Sequence, residues 1–483
     1  MEIASDMLLN GASAEAWLSV STWWLLLPHL IGAAFSLHAL ERRHSARGTI
    51  AWMLGLNLLP YLTIPLYLAL GAERIRRHTG ERLPEKSVTT ILQGFQKHGT
   101  APPLGTIGYT LLQASGIPPC TGNEVHILRD GLDTYSALRA SLRKAKNSIL
   151  IEFFIIRNDV VGERLRSILE EKARSGVQVH VIYDEIGSHK LPAGFLHSLK
   201  SAGVKIASFN GKRFLWSSFL RINYRNHRKL VIIDSKIAYL GSLNVGLEYI
   251  RRPGRLYWRD TFVRLSGPIV GQCLLSFAED WQRAAQEDIS HLVQLQEKCG
   301  QTTCQLIPSG PDDAGLSNWQ LLLLEMASKA GKRLWLASPY FVPDAALYAA
   351  LLAAARRGTD VRILVPMKGD NAAANLALLT YLPELEESGV QLLAYTPGFL
   401  HEKMVLADDS ICSIGTANLD ERSARLNFEL TLLMEDRDMC RRVEKILKED
   451  MEQSSPIGFL QWYHTPLYTR IAAGFCRLLS PIL

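Results

Sequence analysis

A motif of histidine, lysine and aspartate that occurs twice constrains the fold of this 483-residue chain more than any other feature. Each copy reads His-x-Lys-x4-Asp and is followed, at the same distance, by Gly-[Ser/Thr]-x-Asn; the second copy lies 174 residues after the first. The polar members are His227, Lys229, Asp234, Ser242 and Asn244 in the first copy, and His401, Lys403, Asp408, Thr416 and Asn418 in the second. Average residue usage produces one such core motif in only about a few per cent of chains of this length. Two extended copies at one offset therefore indicate an internal duplication.

The segments around the two copies repeat one order of predicted elements. Each half has an apolar strand-like run, a segment with helical apolar spacing, and a second strand-like run. These are 148–156, 161–173 and 177–183 in the first half, and 333–342, 345–355 and 361–365 in the second. Strands that alternate with helices imply right-handed crossovers. We therefore predict an α/β fold of two duplicated halves, each a mostly parallel sheet flanked by helices.

Two long apolar stretches precede these halves. Trp17–Leu40 and Ile50–Gly71 are each long enough, as a helix, to cross ~30 Å of hydrocarbon. A cleaved signal peptide is the alternative for the first stretch, and a buried core helix for the second. A signal peptide needs a basic start, whereas Glu2, Asp6 and Glu15 come before this stretch. We predict two transmembrane helices; basic residues on both flanks leave their orientation open.

The predicted organisation has five segments. They are a membrane anchor (1–72), a basic linker (73–117), a first half (118–290), a second half (291–455) and an amphipathic tail (456–483). In the tail, apolar residues at helical spacing oppose Arg470 and Arg477, as expected of a helix that lies on a membrane or docks on the two halves. The stretch between the start of the third predicted strand and the motif histidine is 12 residues longer in the first half than in the second. That insertion contains Phe214, Trp216 and Phe219, and either meets lipid headgroups or packs on the protein.

Composition narrows the partners without choosing one. A formal net charge of +6 permits an anionic partner, either nucleic acid or a lipid surface. The seven cysteines have no framework spacing and no histidine partners, so we expect reduced and mostly buried thiols.

The motif residues have the chemistry of phosphoryl transfer. Alternation along a strand places His227 and Lys229 on one face. Lysine supplies positive charge, and asparagine with serine or threonine supplies neutral donors, for the anionic oxygens of a phosphoryl group. Histidine can be a nucleophile or a proton donor near neutral pH, so two facing motifs supply both roles for a double displacement. No metal or other cofactor is required by this arrangement.

The paired motifs resemble those of the phospholipase D superfamily, and the whole chain resembles bacterial cardiolipin synthases of the two-span type. Five further segments carry this resemblance: Asn223–Asn226, Trp258–Asp260, Ser338–Pro343, Asn418–Ser423 and Asn427–Glu429. The resemblance covers essentially the full length of the chain.

This resemblance implies a ping-pong transfer between two phosphatidylglycerol molecules that releases glycerol. It assigns His227 as the nucleophile and His401 as the acid and base, a choice that the symmetry of the sequence cannot itself make. It implies that Asp260 and Glu429 orient the histidines. The residues that it implies for phosphate binding are Lys229, Lys403, Asn244 and Asn418, with the neighbouring Ser242 and Thr416. Asp234 and Asp408 are counted with the catalytic residues of the two motifs, although each lies past an apolar run rather than beside its histidine, which favours a structural role.

The partners and location that follow are phosphatidylglycerol and membrane lipid, no nucleic acid, and the bacterial inner membrane with the catalytic body on the cytoplasmic side. Assembly into a homo-oligomer is left open. The competing functions are a hydrolytic phospholipase D, another phosphatidyltransferase of the superfamily, a nuclease, and a catalytically inactive scaffold. The apolar segments argue against a nuclease, and the intact motifs argue against a scaffold.

Overall fold

A computed structural model describes residues 23–24, 26–41, 46–68, 82–99, 105–209, 224–250, 256–313 and 315–482. These residues form two units, of which the first holds the described residues up to 68 and the second holds those from 82 onward. The predicted aromatic insertion at 214–219 lies outside the described residues.

The N-terminal unit consists of short, packed helices. They are α1 (26–41), α2 (Ala46–Leu58) and α3 (Pro60–Leu66). The Asn57 amide donates a hydrogen bond to the Ser36 hydroxyl at 2.8 Å, which joins α1 to α2. Leu59 leaves the helical conformation (φ −133°, ψ 56°) because it precedes Pro60, and α3 begins at that proline.

The two predicted transmembrane helices are not found in this form. Within the ranges given above, no helix is both long and apolar enough to cross a membrane. The predicted span Ile50–Gly71 is divided between α2 and α3 at Leu59, and the predicted span Trp17–Leu40 is described only from residue 23.

A mixed sheet of 16 strands forms the second unit. In the first half the strands are β1 (Cys120–Arg129), β2 (Ser148–Phe153), β3 (Gln178–Asp184), β4 (Lys205–Phe209), β5 (Arg225–Asn226), β6 (Leu230–Ile233), β7 (Ile237–Gly241), β8 (Trp258–Arg259) and β9 (Thr261–Ser266). In the second half they are β10 (Thr302–Ser309), β11 (Arg333–Ala337), β12 (Phe341–Val342), β13 (Asp360–Pro366), β14 (Gln391–Tyr395), β15 (Phe399–Leu400), β16 (Met404–Ala407), β17 (Ile411–Gly415), β18 (Leu419–Asp420), β19 (Asn427–Glu435) and β20 (Ser454–Ile457). The short strands β8, β12, β15 and β18 pair outside the main sheet.

Helices cover this sheet and connect its strands. They are α4 (Glu85–Gly99), α5 (Gly105–Ser115), α6 (Asp130–Lys144), α7 (Val160–Arg174), α8 (Ala193–Ser201), α9 (Ile269–Ala285), α10 (Asn318–Lys329), α11 (Ala345–Arg356), α12 (Ala372–Leu379), α13 (Leu382–Glu387), α14 (Glu421–Arg425), α15 (Arg437–Glu452), α16 (Phe459–His464) and α17 (Leu467–Leu478).

The order of strands in the sheet displays the duplication. From one edge the order is β20-β14-β13-β11-β16-β17-β19-β10, and it continues as β1-β9-β7-β6-β2-β3-β4. The sixteenth strand, β5, pairs with β19 off this path. Apart from β5 and β20, each strand of one half has an equivalent at the same place in the other. The equivalent strands β1 and β10 pair antiparallel where the halves meet. The predicted duplicated α/β fold is therefore confirmed.

The prediction that each half is mostly parallel was wrong. In the main sheet, only β2-β3-β4 and β11-β13-β14, which are linked by helices, pair in parallel within the halves. Outside it, the short strands β12 and β18 of the second half also pair in parallel. The strands that follow each histidine are joined by tight turns, and tight turns produce antiparallel pairs. Asp234 and Ser235 have φ of 52° and 55° in the turn between β6 and β7, a backbone geometry that suits a close hairpin.

The core lies on both sides of the sheet and contains most of the thiols. All seven cysteines are free, and five of them are buried, as predicted: Cys120, Cys273, Cys304, Cys412 and Cys440. Burial raises the pKa of the Cys120 thiol to about 12, so this thiol stays protonated.

Candidate active site

A short parallel strand pair joins each motif to the opposite half. β5 pairs with the start of β19, with Asn226 opposite Phe428. The residues that come next are His227 and Glu429, and the His227 amide donates to the Phe428 carbonyl at 2.9 Å. The first-half histidine therefore lies beside a second-half carboxylate.

The second motif makes the reciprocal contact. β15 pairs with β8, with Leu400 opposite Arg259, so that His401 and Asp260 come next. The His401 amide donates to the Arg259 carbonyl at 2.8 Å. Each half thus supplies one histidine and the carboxylate that receives the other histidine.

The contacts between these side chains fix which ring nitrogen carries the proton. Nδ1 of His227 lies 2.9 and 3.0 Å from the two carboxylate oxygens of Glu429. Nδ1 of His401 lies 2.7 Å from Asp260. A carboxylate accepts a hydrogen bond, so Nδ1 is the protonated nitrogen of each neutral ring and Nε2 keeps a lone pair.

Burial controls the protonation of the two histidines. It lowers the pKa of His227 to about 4 and that of His401 to about 3, although the adjacent carboxylates oppose this effect. Burial also acts to raise the carboxyl pKa values, but the neighbouring histidines and lysines hold those of Asp260 and Glu429 below their usual values. At neutral pH the site therefore pairs two neutral imidazoles with two carboxylates.

Both lysines of the motifs lie in the same buried site. Nζ of Lys229 and of Lys403 each donate to the backbone carbonyl of their own motif histidine, at 2.5 Å. Burial lowers the pKa of Lys403 to about 8 and holds that of Lys229 well below its ordinary value. Burial is the largest cause of the low histidine pKa values, and the lysine of the opposite motif is a smaller one. The charge of Lys403 lowers the pKa of His227, and the charge of Lys229 lowers that of His401. The two motifs therefore form a single site.

The hydroxyl groups of the motifs hold the carboxylates. Ser242 donates a hydrogen bond to Asp260, and Thr416 donates one to Glu429. Glu429 also accepts from the Ser423 hydroxyl at 3.0 Å and the Asn427 amide at 3.1 Å. Phosphate binding by Ser242 and Thr416 stays a prediction.

The two asparagines differ in their contacts. Asn244 Oδ1 accepts from the Ile155 amide, and its Nδ2 donates to the Tyr249 hydroxyl, both at 3.0 Å. Asn418 Oδ1 is buried and has no hydrogen-bond partner among the described residues. Phosphate binding by both asparagines also stays a prediction.

The motif aspartates occupy the far ends of their strands. Asp234 follows β6, whereas Lys229 precedes it, and five residues of strand span about 16 Å. Asp234 accepts hydrogen bonds from the amides of residues 146–148, and Asp408 accepts from those of residues 331–333. Each aspartate joins its hairpin to the beginning of the neighbouring strand.

Aromatic rings surround both histidines. The ring centroids of Phe154 and His227 are 5.0 Å apart, and those of Trp258 and His401 are also 5.0 Å apart. Tyr249 lies 5.8 Å from His401. These rings exclude water from the imidazoles and strengthen electrostatic interactions within the site.

A buried ionic cluster behind His401 was missed by the sequence reasoning. The Arg259 guanidinium contacts Asp450 at 2.9 and 3.0 Å, Glu402 at 3.2 Å and Asp130 at 3.2 Å. Asp130 also accepts from the Asp260 amide at 3.0 Å and has a φ of 61°. The sequence feature that could have drawn attention to Asp130 is the Asp-Gly pair directly after β1, which is typical of a tight turn.

Within the described part of the chain, no group of three or more His, Cys, Asp and Glu side chains is arranged to hold a metal ion. The expectation that no metal is required stays a prediction.

Comparison with known proteins places the chain in a family. Residues 138–254 and 323–451 match the family described as cardiolipin synthase, PLD-like domain. The chain is 38% identical to cardiolipin synthase A of Pseudomonas putida over 95% of its length and 97% of that protein, and equally so to its Pseudomonas entomophila counterpart. Its fold is similar to the crystal structure of a phosphatidylserine synthase from Haemophilus influenzae (TM-score 0.61, 13% identity, 79% of this chain and 100% of that chain). With these motifs, this fold and relatives that match almost end to end, the chain belongs to the cardiolipin synthase family of the phospholipase D superfamily.

Proposed function

We propose that this enzyme is a phosphatidyltransferase that makes cardiolipin and glycerol from two molecules of phosphatidylglycerol. The observation that carries the proposal is the reciprocal pairing of His227 with Glu429 and of His401 with Asp260 in one buried site. A transfer through a covalent intermediate needs one nucleophile and one proton carrier, and the site offers two imidazoles with matching orientation. The homologues over 95% of the chain are named cardiolipin synthases rather than hydrolases.

The first half-reaction transfers the phosphatidyl group to the enzyme. Nε2 of His227 attacks the phosphorus of the first phosphatidylglycerol, and the phosphorus–oxygen bond to the terminal glycerol breaks. His401 donates a proton to the departing oxygen, so glycerol leaves as a neutral alcohol. The Glu429 carboxylate stabilises the positive charge that develops on His227.

The second half-reaction makes the product and restores both histidines. The hydroxyl of a second phosphatidylglycerol attacks the phosphorus of phosphatidyl-His227, His401 takes the hydroxyl proton, and the nitrogen–phosphorus bond breaks. The product is cardiolipin. Water in place of this lipid gives phosphatidic acid, so exclusion of water favours transfer over hydrolysis.

Binding of the substrate also prepares the proton donor. The pKa of about 3 leaves His401 neutral at neutral pH before substrate binds. An anionic phosphodiester beside its Nε2 favours the protonated ring, so we infer that a proton is taken up with the substrate. The ammonium groups of Lys229 and Lys403 bind the anionic oxygens, in the role expected from the sequence.

We further propose that the enzyme works at a bacterial membrane. Its N-terminal helices expose large apolar side chains, among them Leu37, Leu58 and Leu62, each more than 60% exposed. Such a surface is stabilised by lipid rather than by water. The inner membrane, with the catalytic body on the cytoplasmic side, is the location that we propose.

Incubation of the purified full-length protein with phosphatidylglycerol alone, followed by mass spectrometry, tests this function. We expect cardiolipin and glycerol in equal amounts. Phosphatidic acid with glycerol would instead identify a hydrolase, and no turnover with cleavage of added DNA would identify a nuclease.

Matched histidine variants test the assignment of roles. His227→Ala should abolish turnover, whereas His126→Gln, which changes an exposed histidine of β1, should retain it. With a lipid whose leaving group needs no proton, His401→Ala should accumulate a phosphatidyl adduct on His227. An adduct on His401 in the corresponding His227→Ala experiment would reverse the two roles.

A further inference from the structure

The C-terminal helix α17 is docked on the catalytic unit by one face. Ala473 is fully buried, and Cys476 packs against the cluster that contains Ala374 and Ala377 of α12. The Arg477 guanidinium lies 4.5 Å from the ring centroid of Tyr381. Docking is thus achieved by small side chains and a cation–π contact, and leaves the large apolar residues of α17 unused.

Those large residues form one exposed face. Leu467, Ile471, Phe475 and Leu478 are spaced four, four and three residues apart and are 72%, 53%, 66% and 75% exposed. Residues at this spacing lie on the same side of a helix. Leu460 and Tyr463 of α16 are also exposed, at 69% and 63%. These six side chains are called the tail face below.

The charged residues of the tail segment itself have one sign, although Glu386 of α13 lies beside Gly458 at its start. From residue 453 to the end of the sequence there is no aspartate or glutamate, whereas Arg470 and Arg477 are both present. The Arg470 guanidinium lies 5.4 Å from the Trp462 ring and donates to the Thr465 carbonyl at 3.0 Å, so its charge is held within the tail. The tail segment thus combines an apolar face with basic residues and has no acidic residue of its own, a composition that matches an anionic bilayer.

The tail is also close to the active site. A turn of 3-10 helix at Ser480–Ile482 packs against α14 (Glu421–Arg425). In α14, Ser423 donates to the Glu429 carboxylate, which in turn accepts from His227. A single short helix therefore separates the tail from the acceptor of the proposed nucleophile.

We propose that the tail face inserts among the acyl chains of an anionic phospholipid bilayer and holds the active site at the level of the headgroups. A second copy of this chain fits less well, because a stable protein interface needs about 20–30 residues on each side, and the tail face has six. The proposal rests on the proposed function only in that the substrate is a lipid of this bilayer.

Depth-dependent quenching tests the position of the tail face without any need for turnover. In full-length protein with Cys299→Ser and Cys476→Ala, a fluorophore is attached at Phe475→Cys and, as the matched control, at Leu132→Cys, an equally exposed apolar position (65%) on α6. Vesicles of phosphatidylglycerol with nitroxide-labelled acyl chains should quench the fluorophore at 475 and leave that at 132 unchanged. Equal quenching at both positions, or none at 475, would overturn the proposal.

A kinetic comparison tests what insertion does for catalysis. The triple variant Leu467→Ser, Ile471→Ser and Phe475→Ser should lower kcat/KM on bilayer phosphatidylglycerol at least tenfold. It should stay within about twofold of wild type on a monomeric short-chain analogue, and a control that changes Leu132 and Val160 to Ser should match wild type on both. Equal losses on both substrates would show that the tail face supports the fold. A wild-type dimer that becomes a monomer in the triple variant would show that the tail face binds a second copy. Either result would overturn the proposal. If wild-type enzyme makes no cardiolipin from either substrate, the proposed function fails, whereas the quenching result still decides the tail face.

Discussion

Replacing Glu429 by Gln removes one negative charge from the acceptor of His227 and keeps the shape of the side chain. In the first half-reaction, the attack of Nε2 on phosphorus makes the His227 ring cationic, with its Nδ1 nitrogen 2.9 Å from a carboxylate oxygen of Glu429. Charge centres about 4 Å apart interact by about 4 kcal/mol at an effective dielectric constant of about 20. Since about 1.4 kcal/mol is a factor of ten in rate, the Glu429→Gln variant should lose about three orders of magnitude in kcat.

The hydrogen bonds of the carboxylate allow a control that separates charge from packing. Thr416 donates to the same carboxylate, so Thr416→Val removes one neutral donor and leaves the charge. A hydrogen bond to a charged group contributes about 1.5–3 kcal/mol, so this variant should lose about ten- to a hundredfold in kcat, less than Glu429→Gln. Thermal unfolding of both variants shows whether the fold is retained.

A proton-independent leaving group makes the assay specific for the roles of the two carboxylates. On phosphatidyl-p-nitrophenol, departure of the leaving group needs no general acid. The Asp260→Asn variant, which alters the partner of His401, should therefore release p-nitrophenol nearly as fast as wild type, although it is slow on the natural substrate. Glu429→Gln should remain slow, because nucleophilic attack is still required. Recovery by Glu429→Gln and not by Asp260→Asn would exchange the roles of the histidines, and a loss below tenfold in Glu429→Gln on natural substrate would refute the electrostatic reasoning.

Four further outcomes are expected. Asp234→Asn and Asp408→Asn should each lower the free energy of unfolding by about 1–3 kcal/mol in urea titrations, with kcat nearly unchanged, because each aspartate holds backbone amides at the far end of its strand. Burial lowers the pKa of His180 to about 4, so between pH 6.5 and 4 the unfolded chain binds a proton that the folded chain does not. Over this range wild type should therefore lose up to about 3 kcal/mol more of its free energy of unfolding than His180→Phe does. Equal losses in the two proteins would contradict this. Calorimetry with a phosphonate analogue of the substrate, in buffers of different ionisation enthalpy at pH 7, should show uptake of about one proton that disappears in His401→Gln; uptake that persists would assign the proton to a lysine. Activity should persist in EDTA, and loss that Mg²⁺ restores would show that the lysines alone do not supply the positive charge.

The chemistry of this chain could be predicted from sequence because it lies in local spacing. Within each motif the histidine and the lysine are two residues apart, as His227 and Lys229 are, and a strand places alternate residues on one face. The duplication was equally visible, because both copies share one offset. Buried thiols could be predicted from the lack of a disulfide or metal pattern.

Features that depend on contacts between distant segments were beyond such reasoning. The antiparallel strands after each histidine follow from turns such as that at Asp234 and Ser235, whose positive φ values have no unique sequence signature. The pairing of His227 with Glu429 depends on β5, a strand of two residues that is too short for any periodic pattern and that pairs with only the first two residues of β19. Asp130 belongs to the site through its hydrogen bond to the backbone of Asp260, 130 residues further along the chain.

The reciprocal pairing of histidines and carboxylates has a consequence for the origin of the chain. One half by itself has a histidine without its acceptor and an acceptor without its histidine. An ancestor with a single motif would have completed the site only by joining a second copy around a two-fold axis, at the place where the equivalent strands β1 and β10 now pair antiparallel. Fusion of the two copies makes their encounter intramolecular, so the amount of complete site no longer depends on the concentration of the protein. It also releases each half from symmetry, so the two acceptors are free to differ, as Asp260 and Glu429 do.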